Sequence, residues 1–472
     1  MHSRLLFPVS ILFAIFAVSF SDKFSLEDRM QSGSGSNRFA SSVAFPIKGN
    51  VYPLGHFTVS VNIGNPPKIF ELDIDTGSDL TWVQCDAPCT GCTLVSLIQI
   101  DGLFDSCFLF FYRNFVPSMT LQPRDKQYRP HSNAVRCAEP LCSALFFPGK
   151  VPCKNPNDQC DYDVEYADQG SSIGVLVRDL FPMRLTNGSV FAPNLGFGCG
   201  YDQKHGGSTA GVLGLGSGKA TMTSQLSALG HVRNVVGHCL SGQGGGFLFF
   251  GGDLVPSSGM SWTPIMPSPG GRYSSGPAEV YFGGKAAGIR GLTLTFDSGS
   301  SYTYFNSQVY GAVLNLLKND LKGKPLSDEP KDKTLPVCWK GTKAFRSVVD
   351  VRNFFKPLAL SFTDSKNVQF QIPPEAYLII SKFGNVCFGI LNGSQVGLGN
   401  VNVIGGKMRN TVGSTKNHFQ VLFFYMLSSN ISTSFSPKFV TDISLLDKIV
   451  VYDNERQQIG WAPANCNRPP KK

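Results

Sequence analysis

The sequence predicts an all-β protein of two related lobes facing each other across a central cleft. A short pattern occurs twice, as Leu72-Asp73-Ile74-Asp75-Thr76-Gly77-Ser78 and as Leu294-Thr295-Phe296-Asp297-Ser298-Gly299-Ser300, once in each half of the chain. Each copy has a later apolar-apolar-Gly companion, Gly211-Val212-Leu213-Gly214 in the first half and Val401-Asn402-Val403-Ile404-Gly405 in the second. With 50 Gly, 12% aromatic and only 16% charged residues, the composition suits short strands and tight turns better than long solvated helices.

Taken in order, the chain opens like a secretory signal over residues 1–21. Arg4 supplies the positive start, Leu5 to Val18 the apolar run, and Ser19-Phe20-Ser21 a small-x-small cleavage site. A membrane anchor is the alternative, but the run is short for a span and no stop-transfer segment follows. The polar end, Pro469-Pro470-Lys471-Lys472, does not suit a lipid-anchor tail. Residues 22–49 are expected to be a short pro-segment, 50–253 the first lobe and 254–472 the second. Only a short helix or two is expected, with Tyr310–Leu321 the best candidate because its apolar residues fall at helical spacing.

Thirteen cysteines behind a signal peptide argue for disulfides, because the secretory pathway is oxidising. Spacing leaves the connectivity open, with Cys338–Cys387 a plausible pair inside the second lobe. Cys85, Cys89 and Cys92 have a spacing that could suit a metal, but no His accompanies them, so bridges are preferred and no metal is expected. Asn187 and Asn392, each in Asn-Gly-Ser, are candidate glycan acceptors. The net charge of +9 is scattered, with no basic run interleaved with aromatics, which argues against a nucleic-acid partner. There is no Gly-x-Ser-x-Gly elbow and no His-Glu-x-x-His motif. Gly216-Ser217-Gly218-Lys219 looks superficially like a phosphate loop, but Leu213 stands where its first Gly would fall and Ala220 replaces the final Ser/Thr, so it reads as a turn.

Alone, Asp-Ser-Gly is a common turn triplet. Its duplication at the ends of two alternating strands points instead to paired carboxylates, Asp75 and Asp297, presented across a cleft. Each strand delivers an acid to its end, the glycine permits close backbone approach, and the hydroxyls can hydrogen-bond the acid and the opposing loop. Two carboxylates that share a proton offer one acid and one base at once.

The combined motifs resemble those of the pepsin-like aspartic proteases, in which an apolar-apolar-Gly strand crosses each Asp-Thr/Ser-Gly loop. The plant nucellin-like branch is the most similar, through Gly49-Asn50-Val51-Tyr52-Pro53-Leu54-Gly55, Trp82-Val83-Gln84-Cys85-Asp86-Ala87-Pro88-Cys89 and Gln458-Ile459-Gly460-Trp461. The resemblance covers about Gly49 to Cys466. It implies a two-lobed catalytic fold, hydrolysis of peptide or protein substrates by Asp75 and Asp297, and no cofactor. It further implies that Thr76 and Ser298 hold the two loops together, with Gly77 and Gly299 as supporting residues of the turns, and that Ser78 and Ser300 bond the outer carboxylate oxygens. Tyr166 is expected on a hairpin flap over the cleft, with Trp82 as its hydrogen-bond partner. The corresponding expectation for the protein is a monomer without a membrane or nucleic-acid partner, delivered to the extracellular space (apoplast) or the vacuole. A catalytically silent protease-like binding protein, such as an inhibitor of glycan-degrading enzymes, is the second reading.

Two stretches depart from this pattern. Residues 95–122 form a strongly apolar run that includes Phe108-Leu109-Phe110-Phe111-Tyr112, and removing them joins Cys92-Thr93-Leu94 to Pro123-Arg124-Asp125. Residues 406–441 separate Ile404-Gly405 from Asp442-Ile443, and so are expected to interrupt the strand beneath the Asp297 loop. Both read as retained introns translated in frame. Val95-Ser96 can be encoded by a GTAAGT donor, Leu121-Gln122 can end in a CAG acceptor, and Gly406-Lys407 can hide a GGTAAG donor. Cys107 lies in the first stretch, so its removal leaves an even cysteine set. The alternative is a pair of surface loops, which chains tolerate, although loops this apolar would be exposed patches.

Overall fold

Alternating strands build the protein. In the computed structural model, the described residues are 41–51, 54–86, 127–131, 133–166, 170–204, 209–268, 270–300, 302–366, 368–405, 409–410 and 443–468. The expected signal peptide (1–21), residues 22–40 of the expected pro-segment, all of 95–122 and most of 406–441 lie outside them. In strand Lys68–Asp75, Phe70, Leu72 and Ile74 turn into the core while Ile69 is 65% exposed, the period of two that a half-buried strand requires. Strand Leu294–Phe296 is buried on both faces, with Thr295 enclosed as well as Leu294 and Phe296.

Strands from the two halves of the chain meet in one sheet. Val235–Leu240 runs antiparallel to Lys448–Asp453, which pairs with Gln458–Pro463, which in turn pairs with Ser261–Met266. On its other edge Val235–Leu240 pairs with Gly246–Phe250, and that strand pairs with Val43–Asn50. The last named strand is the part that the sequence reading gave to the pro-segment, and it also pairs with His56–Ile63. Above this base, smaller sheets and hairpins form the two lobes of an all-β fold.

Helices are few among the described residues: α1 (Pro140–Phe146), α2 (Met222–Ala228) and α3 (Ser307–Leu321), with short 3-10 turns. Helix α3 contains the expected Tyr310–Leu321 and begins a turn earlier. Asn306 caps it by accepting Val309 N–H at 3.0 Å, and Val309, Val313, Leu317 and Leu321 form its buried stripe at intervals of four. None of these helices is long and apolar enough to cross a membrane.

Disulfides join Cys85–Cys199, Cys137–Cys153, Cys142–Cys160, Cys239–Cys466 and Cys338–Cys387. The second-lobe pair matches the expected Cys338–Cys387 bridge. Cys85 is bridged and offers no thiolate to a metal, while Cys89, Cys92 and Cys107 lie outside the described residues.

Candidate active site

Each aspartate is held by the same local device. Strand Lys68–Asp75 pairs in parallel with Gly211–Gly214, in a register that sets Gly214 beside Asp75, and Leu215 N–H donates to the Asp75 carbonyl at 2.8 Å. Strand Leu294–Phe296 pairs in parallel with Asn402–Ile404, and Asp297 N–H donates to the Ile404 carbonyl at 3.1 Å. The two apolar-apolar-Gly companions thus lie where the repeat placed them, one under each loop. Residues 406–441 do not break the second of these strands. Its pairing with Leu294–Phe296 is complete at Ile404, before the segment begins, which corrects the expected interruption.

A reciprocal lock joins the loops. Thr76 Oγ1 accepts Ser298 N–H at 2.7 Å and donates to the Phe296 carbonyl at 3.3 Å. Ser298 Oγ accepts Thr76 N–H at 3.1 Å and donates to the Ile74 carbonyl at 3.3 Å. All four groups are buried, so each loop satisfies the polar backbone of the other. The glycines make the approach possible. A Cβ placed on Gly77 would overlap the Asp297 carboxylate, and one on Gly299 would overlap that of Asp75.

The two acids therefore face each other, and their surroundings differ. Asp75 accepts Gly77 N–H at 2.9 Å on Oδ1 and the Ser78 hydroxyl at 2.5 Å on Oδ2. Asp297 accepts Gly299 N–H at 2.9 Å on Oδ1, while its buried Oδ2 has no hydrogen-bond donor. The expected bond from Ser300 to Asp297 is not formed, although Ser300 is buried beside it. The outer-oxygen role assigned to both serines thus holds for Ser78 alone, because Asp297 Oδ2 is turned toward Gly77 and the other acid. Burial, followed by the Asp75 charge, holds the Asp297 pKa well above the ordinary carboxylate range, with the Gly299 N–H and the Arg272 charge pulling the other way. An orphaned carboxylate oxygen beside a second carboxylate is the place for one shared proton.

Strands Asp161–Tyr166 and Ser171–Leu180 form a hairpin, closed where Tyr166 N–H donates to the Gly170 carbonyl at 2.7 Å. Tyr166 accepts the Trp82 indole N–H at 2.7 Å, both side chains being buried, so the expected partnership is present. The hairpin tip, 167–169, lies outside the described residues. Gly216-Ser217-Gly218-Lys219 is a turn before α2: Gly218 N–H donates to Asp79 Oδ1 at 3.0 Å, and Ser217 N–H and Oγ both donate to the Gly271 carbonyl, at 3.1 and 2.6 Å. This contact between the first-half turn and the segment before Ser274 was not visible in the sequence. Nor was Arg272, which carries no motif.

A two-lobed all-β fold with facing aspartates at the ends of paired, internally duplicated strands defines the pepsin-like class. A family model described as "Xylanase inhibitor N-terminal" matches residues 57–252, and one described as "Xylanase inhibitor C-terminal" matches 285–412. The chain is 38% identical over 447 residues to an aspartic proteinase of Oryza sativa subsp. japonica, covering 92% of this chain and 93% of the relative. It is 26% identical over 448 residues to "Aspartic proteinase 39" of Arabidopsis thaliana, covering 91% and 79%. The chain belongs to the pepsin-like plant aspartic protease family. Among solved structures, the basic 7S globulin from soybean shares the fold with a TM-score of 0.59 at 15% identity, over 91% of this chain and 96% of that one.

Proposed function

We propose that the chain is an aspartic endopeptidase that hydrolyses peptide bonds with Asp75 and Asp297 as its acid–base pair. The supporting observation is the juxtaposition of two buried carboxylates, each packed against the glycine of the other loop, with one oxygen lacking a donor. In this reading the shared proton sits between them over an acidic range. The ionised carboxylate takes a proton from a water lying between the pair while that water attacks the peptide carbonyl. The protonated partner stabilises the developing oxyanion and then helps protonate the departing amine. No metal or covalent intermediate enters. The Tyr166 hairpin would cover an extended substrate, which main-chain hydrogen bonds and apolar pockets would recognise.

The proposal includes delivery through the secretory pathway to the apoplast or vacuole, action as a monomer, and glycans at Asn187 and Asn392. The test is peptide cleavage at acidic pH by the full chain and by a form lacking 95–122 and 406–441. Asp75→Asn serves as control and a peptide-like transition-state mimic as inhibitor. Cleavage that survives Asp75→Asn would refute the assignment. The two inhibitor-named family matches favour a second reading, a silent binding protein on this fold. Retention of both aspartates in their locked loops argues for the enzyme.

A further inference from the structure

The Tyr166 hairpin has two edges. Strand Asp161–Tyr166 pairs with Ser171–Leu180 on one of them, and Tyr166 spends its N–H there on the Gly170 carbonyl at 2.7 Å. Main-chain groups of an antiparallel strand point alternately to either side, so Glu165 presents its N–H and carbonyl to the other edge. On that edge the chain's own Arg409–Asn410 runs antiparallel, with Arg409 opposite Tyr166 and Asn410 opposite Glu165. The same run begins beside the catalytic pair. Strand Asn402–Ile404 ends where the Ile404 carbonyl accepts Asp297 N–H at 3.1 Å, and Gly405, at φ 66°, turns the chain out of the strand. Four peptide steps then lead to Arg409, a reach of at most about 14 Å. We propose that Arg409–Asn410 is an autoinhibitory strand, holding by main-chain pairing the hairpin edge that an extended substrate would take, so that the chain carrying 406–441 blocks its own site. The proposal concerns the regulation of the Asp75–Asp297 site and rests on the endopeptidase reading of it.

Strand addition uses main-chain groups that every peptide carries, so a tethered segment and a substrate compete for one edge whatever their sequences. A short tether holds the segment at an effective concentration of about millimolar. The pairing spans only Arg409 and Asn410, so the block is reversible. A contact made about nine-tenths of the time leaves about one-tenth of the molecules open and weakens apparent substrate binding about tenfold. Saturating substrate displaces the strand, so the loss falls on KM and spares kcat.

Asn410→Pro removes the N–H that faces Glu165 and keeps the rest of the segment. Peptide cleavage by this variant is expected to show a KM about tenfold below that of the full chain with kcat unchanged, as is cleavage by a chain joined from Gly405 to Asp442. Hydrogen exchange at the Glu165 amide reads the contact without turnover: protected in the full chain, and about tenfold faster in Asn410→Pro. A Glu165 amide that exchanges in the full chain as an unpaired amide does would overturn the proposal, with no variant needed. Cleavage with the same KM in all three forms defeats this proposal alone. Absence of cleavage in every form defeats the endopeptidase reading, and calorimetric binding of a peptide-like transition-state mimic then decides the block. Binding about tenfold tighter to the two altered forms supports it; equal binding overturns it.

Discussion

Thr76→Val tests the lock between the loops. Valine matches threonine in shape, so packing is retained while the hydroxyl is lost. Two buried groups then lose their partners: the Ser298 N–H, which donates to Thr76 Oγ1 at 2.7 Å, and the Phe296 carbonyl, which accepts from it at 3.3 Å. A buried polar group left unsatisfied costs about 1–3 kcal/mol. The longer of the two bonds puts its share at the low end, so the expected loss is about 3 kcal/mol. Thr76→Ser keeps the hydroxyl and removes one methyl, a loss of about 1 kcal/mol. Urea unfolding of both variants, with slopes compared to confirm that only the midpoint moves, reads the difference. A Thr76→Val protein within about 0.5 kcal/mol of the parent would refute the claim that this hydroxyl satisfies the opposing loop.

Other outcomes follow from the same geometry. Gly77→Ala or Gly299→Ala, by placing a methyl against the opposing carboxylate, is expected to cut peptide cleavage about 100-fold or more, the usual result of displacing reacting groups by about 1 Å; kcat on a peptide substrate reads it. Trp82→Phe removes the donor to the Tyr166 hydroxyl, and a weakening of substrate handling of about 3- to 10-fold in kcat/KM is expected. Breaking Cys338–Cys387, which are separated by 49 residues in sequence, should cost about 4 kcal/mol of unfolding free energy. Buried His238 has its pKa pushed down to about 3 by desolvation, so it stays neutral in the fold while the unfolded chain takes up a proton below about 6.5. The His238 share of stability is therefore complete above that pH and falls by about 1.4 kcal/mol for each unit below it, down to about pH 3; His238→Gln should flatten this slope in unfolding titrations.

The paired acids were legible because the sequence states them twice, each at the end of an alternating strand with a hydroxyl and a glycine behind it. Tyr166 and Trp82 were paired only through the family pattern, and the hydrogen bond between them is present. Ser300 was not, because symmetry of sequence does not force symmetry of rotamer: the same Asp-x-Gly-Ser loop puts Ser78 on its acid and leaves Asp297 Oδ2 to the other carboxylate. Arg272 and the Ser217–Gly271 contact depend on the pairing of segments remote in sequence, which no local spacing encodes. The same is true of Cys85–Cys199 and Cys239–Cys466, whose partners lie 114 and 227 residues apart.

The described residues on either side of 406–441 bear on how far the second lobe depends on that segment. Val403, in the strand that ends at Ile404, pairs with Tyr304 of strand Thr303–Phe305, and Asn402 accepts Asn306 N–H at 3.0 Å. The chain resumes at Ile443–Leu445, where Ser444 accepts the Thr303 hydroxyl at 2.6 Å and donates to the Ala376 carbonyl at 3.0 Å. The described residues on either side of the segment are thus tied to neighbouring residues of one strand, and the bonds that shape the Asp297 loop are made before residue 406 is reached. Joining Gly405 to Asp442 removes the antiparallel pairing of Arg409–Asn410 with Tyr166 and Glu165, and beyond that changes loop entropy by about 0.6 kcal/mol for each doubling of length. The deletion variant is expected to unfold within about 2 kcal/mol of the full chain, with the pair titrating as before. Failure of that variant to fold would make 406–441 a structural part of the lobe and remove the physical case for reading it as retained intron.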